Sequence, residues 1–404
     1  MTARQPLACS GPIPVGWLIG VLGGGQLGAM FAAAARRLGY RVAVWDPDPD
    51  APAHRGADRS IVLPFDATEG AADFLDGLAA ATLEWENVPA DLCERLAQRV
   101  PLVPHPSVLR TIQHRGVQKR FLEQHGLPIP AWDQGEGHVA LGLAIPGMRS
   151  LPCIVKTARA GYDGKGQWKI DDLKEWMILG EEWRAQGNSK IEWVVEAFVP
   201  FVKELSVVVV RGAAHDGGEP QMVCYPVADN LHKNGILRRT LVPADVSPEV
   251  AACAQRTACE AVRAFDSPGV FCVEMFMLAD GRLLVNEVAP RPHNSGHYTL
   301  DACDVSQFEQ QVRVVCGLPL GTTTMNGVAS MVNLLGGDAA ALTDDQSVAA
   351  SVASANTRVH LYGKRVARPG RKMGHVTFVG PTLADVSAQA DALIAALRSA
   401  EQSR

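Results

Sequence analysis

Two apolar runs, FCVEMFML (271–278) and RLLVNEV (282–288), flank Ala279-Asp280-Gly281. An Asp-Gly pair between such runs is the strongest short-range signal for a β-hairpin. With Asp280 and Gly281 as a two-residue turn, Glu274 falls directly opposite Glu287. Side chains so placed have Cβ atoms roughly 4.5–5.5 Å apart, and like charges there destabilise a sheet. A positive group is expected between them. A hard divalent cation such as Mg²⁺ meets the need, because it takes carboxylate oxygens from the protein and completes its shell with water and phosphate oxygens. The competing reading, a solvated pair leaning apart, fits poorly with strands this apolar. The next loop places Arg291, His293, Asn294 and His297 within seven residues, a set of cations and amides suited to anionic oxygens beside a metal.

At 404 residues the chain is long for one core, and two or three domains are expected. A net charge of −5 with evenly mixed Lys and Arg leaves no basic stripe for nucleic acid and no polybasic membrane patch, which favours small-molecule partners. Nine scattered cysteines without a C-x-x-C pair read as reduced thiols of a cytoplasmic protein. The run Val15 to Ala35 carries no charge, yet three glycines and Gln26 interrupt it, so it reads as a strand, turn and helix rather than a membrane span. No secretory signal is read before it.

Residues 1–14 are expected to form a loosely attached extension. The stretch WLIGVLGGGQLGAMFAAAARRLGYRVAVWD then predicts a βαβ unit in which Gly23, Gly25 and Gly28 match G-x-G-x-x-G. Such glycines give a tight turn and let a phosphate approach a helix N-terminus, or serve only to pack helix on sheet. Segments near 61–64, 72–81 and 90–99 continue the parallel sheet to about residue 110, with Glu84 and Glu86 at a strand end, where open α/β sheets bind ligands. The helix around Arg115, Lys119 and Arg120 reads as salt-bridged surface. Pro128 and Pro130 mark a domain boundary.

The next domain opens with the strand LPCIVKTA carrying Lys156, then RAGYDGKG with Lys165, then QWKI. Gly161, Gly164 and Gly166 allow this loop to close over phosphates. It is no Walker A loop, since no Ser or Thr follows the lysine and a strand comes next. Two strands follow a polar helix near 172–186; Glu196 ends the first at E-A-F-V, where backbone groups could bond adenine, and Glu204 in the second could accept ribose hydroxyls or form a salt bridge. Further on, DNLHKNGILRRT offers His232, and YGKRVARPGRKMGH clusters Lys364, Arg365, Arg368, Arg371 and Lys372, enough for one phosphate monoester. Helices are expected near 248–264 and 304–316, strands near 328–334 and 356–362, and a surface helix near 383–400.

Taken together these segments resemble the N5-carboxyaminoimidazole ribonucleotide synthases, ATP-grasp enzymes of purine biosynthesis. The likeness runs from about residue 15 to about 380, with GGGQLG, GYDGKGQW, NLHKNGILR, NEVAPRPHNSGH and RPGRKMGH in family order. GYDGKGQW and NEVAPRPHNSGH are the specific signatures, and the departure is the segment before residue 15. The resemblance implies an α/β ATP-grasp fold: a Rossmann-like parallel-sheet domain (15–127), a lid subdomain (128–212) and a mixed α/β catalytic subdomain (213–404). It implies ATP at Arg115, Lys156, Gly161, Tyr162, Asp163, Gly164, Lys165, Gly166 and Gln167, at the hinge Glu196, Ala197, Phe198 and Val199, and at Glu204, His232, Asn286 and Glu287. Mg²⁺ or Mn²⁺ is expected on Glu274 and Glu287. For 5-aminoimidazole ribonucleotide it points to Gln26, Glu86, Tyr162, Asp163 and Asn294, with Lys364 and Arg371 on its phosphate and Arg291 and His293 at the bicarbonate-derived group. A homodimer, and a mutase that receives the product, are implied as partners.

Three other readings are weighed beside it. The same fold could serve a formate-using glycinamide ribonucleotide transformylase or a biotin carboxylase. The glycine turn could serve an NAD-dependent oxidoreductase. A nucleotide-binding regulator without turnover is disfavoured by the filled metal, lid and anion positions.

Overall fold

The computed structural model describes residues 11–137, 151–159, 166–187, 190–214 and 218–402 of the chain. Among them three sheets form, joined in chain order. The first is wholly parallel: β1 (Leu18–Leu22), β2 (Arg41–Trp45), β3 (Arg59–Ile61), β4 (Leu78–Leu83) and β5 (Leu102–Val103), in spatial order β3-β2-β1-β4-β5. Its central strands are continuous apolar runs because helices cover both faces. The strand order reverses between β1 and β4, and such a switch point opens a crevice at the carboxyl ends of the strands. Gln26, Glu84 and Glu86 all stand there. The uncharged run from Val15 is thus a strand, a turn and the helix Gln26–Arg37, and no described helix is long and apolar enough to cross a membrane.

The second sheet is small and antiparallel: β6 (Trp132–Glu136), β7 (Cys153–Thr157), β8 (Gln167–Ile170) and β9 (Glu192–Ala197), ordered β6-β9-β7-β8. The helix Leu173–Ala185 packs Trp176, Leu179 and Trp183 against Trp193, giving this sheet its own core. The third sheet holds nine strands: β10 (Phe201–Arg211), β11 (Met222–Cys224), β12 (Ala228–Lys233), β13 (Ile236–Val242), β14 (Gly269–Leu278), β15 (Leu283–Ala289), β16 (Val328–Leu335), β17 (Thr357–Leu361) and β18 (Lys372–Gly380). Sheet membership changes between Ala197 and Phe201: β10, which the sequence groups with the lid, pairs with β11, β12 and β14.

Two expectations are corrected by packing. Ile13, placed in a loose extension, is buried; its N–H bonds the Cys316 carbonyl at 2.8 Å and its carbonyl accepts from the Tyr40 hydroxyl. The last helix, Leu383–Gln402, is no surface element, since Val386, Ala390, Leu393 and Leu397 form one face of a core against β16 and β18. Its small residues made that stripe hard to see. The eight described cysteines are all free thiols, four of them buried.

Candidate active site

The hairpin brings Glu274 and Glu287 into register as direct cross-strand partners. It does so by a route the sequence did not suggest. The reversal has three residues, not two: Leu278 N–H bonds the Arg282 carbonyl, Gly281 takes φ +83°, and Met277 pairs with Leu283. That register alone would set Glu274 opposite Asn286. A β-bulge at Asn286 adds one residue to β15 and moves Glu287 into the opposing place. The Asn286 side-chain oxygen is buried and has no hydrogen-bond partner among the described residues. Two carboxylates and an orphaned amide oxygen form an all-oxygen donor set, which fits a hard divalent cation.

The charges around this pair favour a cation. Burial and the facing Glu287 push the Glu274 carboxyl up to about 7. His293 Nε2 lies 3.2 Å from Glu274 Oε1, and Arg115 Nη1 lies 3.1 Å from Glu287 Oε2. His232 stands 3.2 Å from Glu204, whose charge, with that of Glu274, raises the imidazole against the effect of burial. Deeper in, Glu196 pairs with Lys119 at 3.2 Å and Lys156 at 3.0 Å. Burial alone would raise its carboxyl, but the two ammonium groups hold it down to about 2. Two cations on one anion leave an excess positive charge beside the cavity, suited to a polyphosphate.

A cavity of about 680 Å³ joins these groups. Of the expected residues, Gln26, Glu86, Arg115, Lys156, Gln167, His232 and the hairpin trio Glu274, Asn286 and Glu287 line it. So do Arg291, His293 and Asn294 from the following loop, and Lys364 and Arg371 from the loop between β17 and β18. Gly161, Tyr162, Asp163, Gly164 and Lys165 lie outside the described residues, and Gly166, which follows them, takes φ +69°. The structure does not bring the hinge into the cavity wall: the N–H groups of Ala197 and Phe198 already bond the Ala131 and Pro152 carbonyls, and the Glu196 side chain is spent on its two lysines. Val199 is buried outside the wall as well, and Glu204 lines a small neighbouring recess instead.

Several side chains already have partners. Arg291 forms a two-pronged ion pair with Glu86 across the first and third sheets, so neither is a free ligand group as the sequence suggested. The pairing overcomes burial and holds the Glu86 carboxyl below its ordinary range. Asn294 exchanges amide hydrogen bonds of 3.0 and 2.7 Å with Asn333. Lys364 donates to the Lys372 carbonyl at 2.9 Å, and Arg371 to the Val366 carbonyl at 2.8 Å. Lys119, read as helix surface, is buried and also donates to the Asn286 carbonyl at 3.0 Å. Gln113, Gln118 and Trp85 line the cavity without any sequence signal; the side-chain amide of Gln113 binds the Glu86 and Val88 carbonyls.

The glycine turn resolves differently from the phosphate cradle it resembles. Glu84 accepts from the N–H of Gly25 and of Gly28, each at 2.6 Å, and Asp46 accepts from Gly24 at 2.6 Å. A Cβ at Gly25 would lie 2.5 Å from Glu84 Oε1, and one at Gly23, where φ is +96°, 2.4 Å from Glu84 Cγ. The glycines make room for the protein's own carboxylate, and that carboxylate caps a helix whose N-cap has no side chain to do so.

Comparison with known proteins agrees with this architecture. Residues 17–113 match the ribonucleotide synthetase preATP-grasp domain, 120–308 the ATP-grasp domain, and 329–389 the phosphoribosylaminoimidazole carboxylase C-terminal domain. The N5-carboxyaminoimidazole ribonucleotide synthase of Brucella melitensis is 39% identical over 366 residues, covering 91% of this chain and 97% of that one. The Bacillus subtilis enzyme of the same name is 38% identical over 367 residues, covering 90% and 92%. Among solved structures, an ADP complex of an N5-carboxyaminoimidazole ribonucleotide synthetase superposes with a TM-score of 0.87 at 36% identity, over 95% of this chain and 97% of that one. The Aspergillus clavatus N5-carboxyaminoimidazole synthase in complex with ADP and 5-aminoimidazole ribonucleotide superposes with a TM-score of 0.85 at 31% identity, over 95% and 99%. The chain belongs to the N5-carboxyaminoimidazole ribonucleotide synthase family of ATP-grasp ligases.

Proposed function

We propose that this chain carboxylates 5-aminoimidazole ribonucleotide to N5-carboxyaminoimidazole ribonucleotide, using ATP and bicarbonate and releasing ADP and phosphate. The observation that carries the reading is a single cavity lined by two unlike groups of side chains. Glu274, Glu287 and the Asn286 oxygen, which has no partner among the described residues, form one; Lys364, Arg368, Arg371 and Lys372 form the other. The first suits a metal-bound polyphosphate and the second a phosphate monoester, and Arg291 and His293 line the same cavity.

In this reading ATP lies between the lid and the third sheet, against Arg115, Lys156, His232 and the turn Gly161 to Gln167. Glu274, Glu287 and Asn286 would hold Mg²⁺, or Mn²⁺, which when bound neutralises the β- and γ-phosphate oxygens. A bicarbonate oxygen attacks the γ-phosphorus, the bond to ADP breaks, and carboxyphosphate forms. The ribonucleotide amine takes the carboxyl carbon and loses a proton, with phosphate leaving either as the amine attacks carboxyphosphate directly or beforehand, as carboxyphosphate splits to phosphate and CO₂. Lys156 and Arg115 stabilise transferred negative charge, and Arg291, aimed by Glu86, holds the carboxyl-bearing group. Such transfer depends on position and charge rather than on a protein nucleophile. Gln26, Tyr162, Asp163 and Asn294 complete the ribonucleotide subsite in the same proposal, with Lys364 and Arg371 on its phosphate. The proposal includes a cytoplasmic homodimer whose product passes to a mutase, and a division of the chain near residue 127, with the lid ending between Ala197 and Phe201.

Coupled ADP release with each acceptor in turn tests the reading. Release that needs bicarbonate and 5-aminoimidazole ribonucleotide is expected. Release that needs formate with glycinamide ribonucleotide, or biotin, would overturn it.

A further inference from the structure

Behind His293 a file of buried polar side chains crosses the third sheet; none of it lines the main cavity, and only Asn230 reaches the small recess beside it. Thr240 on β13 donates from Oγ1 to Asn230 Oδ1 on β12 at 2.9 Å. Asn230 Nδ2 donates to Ser206 Oγ on β10 at 2.8 Å. Ser206 Oγ lies 2.8 Å from Ser295 Oγ, and Ser295 Oγ lies 2.8 Å from His293 Nδ1. Thr240, Ser206 and Ser295 are at most 1% exposed and Asn230 6%, so water does not compete for these bonds. Cross-strand pairing of Asn230 with Thr240, and of Glu204 with Asn230, sets the spacing.

The direction of the file follows from which atoms can only donate. The backbone N–H of Ser295 also points at His293 Nδ1, at 3.3 Å, and an N–H cannot accept. Nδ1 is therefore the acceptor nitrogen. At the other end the Asn230 amide nitrogen can only donate to Ser206, so the Ser206 hydroxyl turns its proton to Ser295, and Ser295 turns its own to Nδ1. The Nε2 atom, 3.2 Å from Glu274, is left to carry the proton.

We propose that Thr240, Asn230, Ser206 and Ser295 are positioning residues that fix His293 as the Nε2–H tautomer, so that its ring offers the cleft a hydrogen-bond donor and not a lone pair. The donor holds the Glu274 carboxylate in orientation, as a partner of a metal-binding carboxylate should. It also excludes His293 as the base that deprotonates bicarbonate or the amine. That the donor faces a bicarbonate-derived group rests on the function proposed above; the tautomer does not.

The test uses the full chain with ¹⁵N-labelled histidine and long-range proton–nitrogen correlation spectra at neutral pH without nucleotide. A His293→Gln variant identifies the ring among eleven histidines. The expected spectrum has a protonated Nε2 and a bare Nδ1; an Nδ1–H ring overturns the proposal. Ser206→Ala and Thr240→Val are expected to mix the tautomers and to lower kcat about 10-fold with KM for ATP unchanged, while Thr240→Ser restores both. A folded Ser206→Ala protein with the parental spectrum and parental kcat would show that the file only packs the sheet, and the proposal falls. The spectra need no acceptor, so an assay that fails beside the expected spectrum counts against the proposed function alone.

Discussion

The glycine turn of the first sheet and the bulged hairpin of the third both gather carboxylates at a cleft, and they treat them in opposite ways. In the turn, Glu84 meets two backbone N–H groups and Asp46 a third, so each acceptor has its donor within the protein. In the hairpin, Glu274 and Glu287 face each other, a proton is drawn onto the first near neutrality, and the Asn286 oxygen has no hydrogen-bond partner among the described residues. A site whose polar needs are met internally is architecture. One whose oxygens face one another without donors suits a cation from solution. The motif that looked most like a nucleotide signature thus belongs to the first kind, and the unremarkable residue Asn286 to the second.

Substitutions sharpen that contrast. Glu287→Gln should lower ATP turnover by about 10²- to 10³-fold, the range expected when several kcal/mol of charge stabilisation is lost. Its unfolding midpoint in urea should hardly move, because the Glu287 side chain is 44% exposed. Near-normal ADP release at saturating Mg²⁺ would break the metal assignment. Glu84→Ala should do the reverse, costing about 2 kcal/mol of stability by uncapping the helix and stranding two N–H groups. Urea unfolding measures it, and a stable variant that gains nicotinamide binding would return the turn to the dinucleotide class. Asn286→Ala should change stability by less than about 0.5 kcal/mol yet raise the Mg²⁺ concentration for half-maximal turnover about 10-fold.

The smallest effect concerns pH. A carboxyl raised from 4.5 to about 7 in the folded chain favours folding below its unfolded value, and that contribution is lost as pH rises through 7. Without divalent metal, the melting temperature should therefore fall between about pH 5 and pH 8 through Glu274. Mg²⁺ should raise Tm by about 2 °C more at pH 8 than at pH 6. A metal-induced gain that is equal at both pH values would remove Glu274 from the coordination set.

Much of the site was legible in the sequence because its residues sit in short apolar strands where a charge stands out. Glu274 and Glu287 were found on the wrong turn length, and the pairing survived because the three-residue turn and the Asn286 bulge shift the register in opposite senses. Nothing local marks a bulge. A second hairpin signal, Asn234-Gly235, with φ +54° and +74°, reverses the chain between β12 and β13 and so carries His232 to the cavity. Pairings between distant segments were beyond any local pattern. Arg291 with Glu86, Asn294 with Asn333 and Glu84 with the glycine turn each join residues whose separation in sequence says nothing of their meeting. Lys119 looked like helix surface for the same reason, since its two partners lie on β9 and β15.

Lys119 has one more consequence. Its ammonium group grips Glu196 on the small sheet and the Asn286 carbonyl on the large one, at a place closed to water. The interior strand β9 of the small sheet, flanked by β6 and β7, is thereby riveted to the hairpin. Cutting the rivet with Lys119→Met would strand the Glu196 carboxylate on Lys156 alone and free the Asn286 carbonyl, so one side chain couples the seating of both sheets.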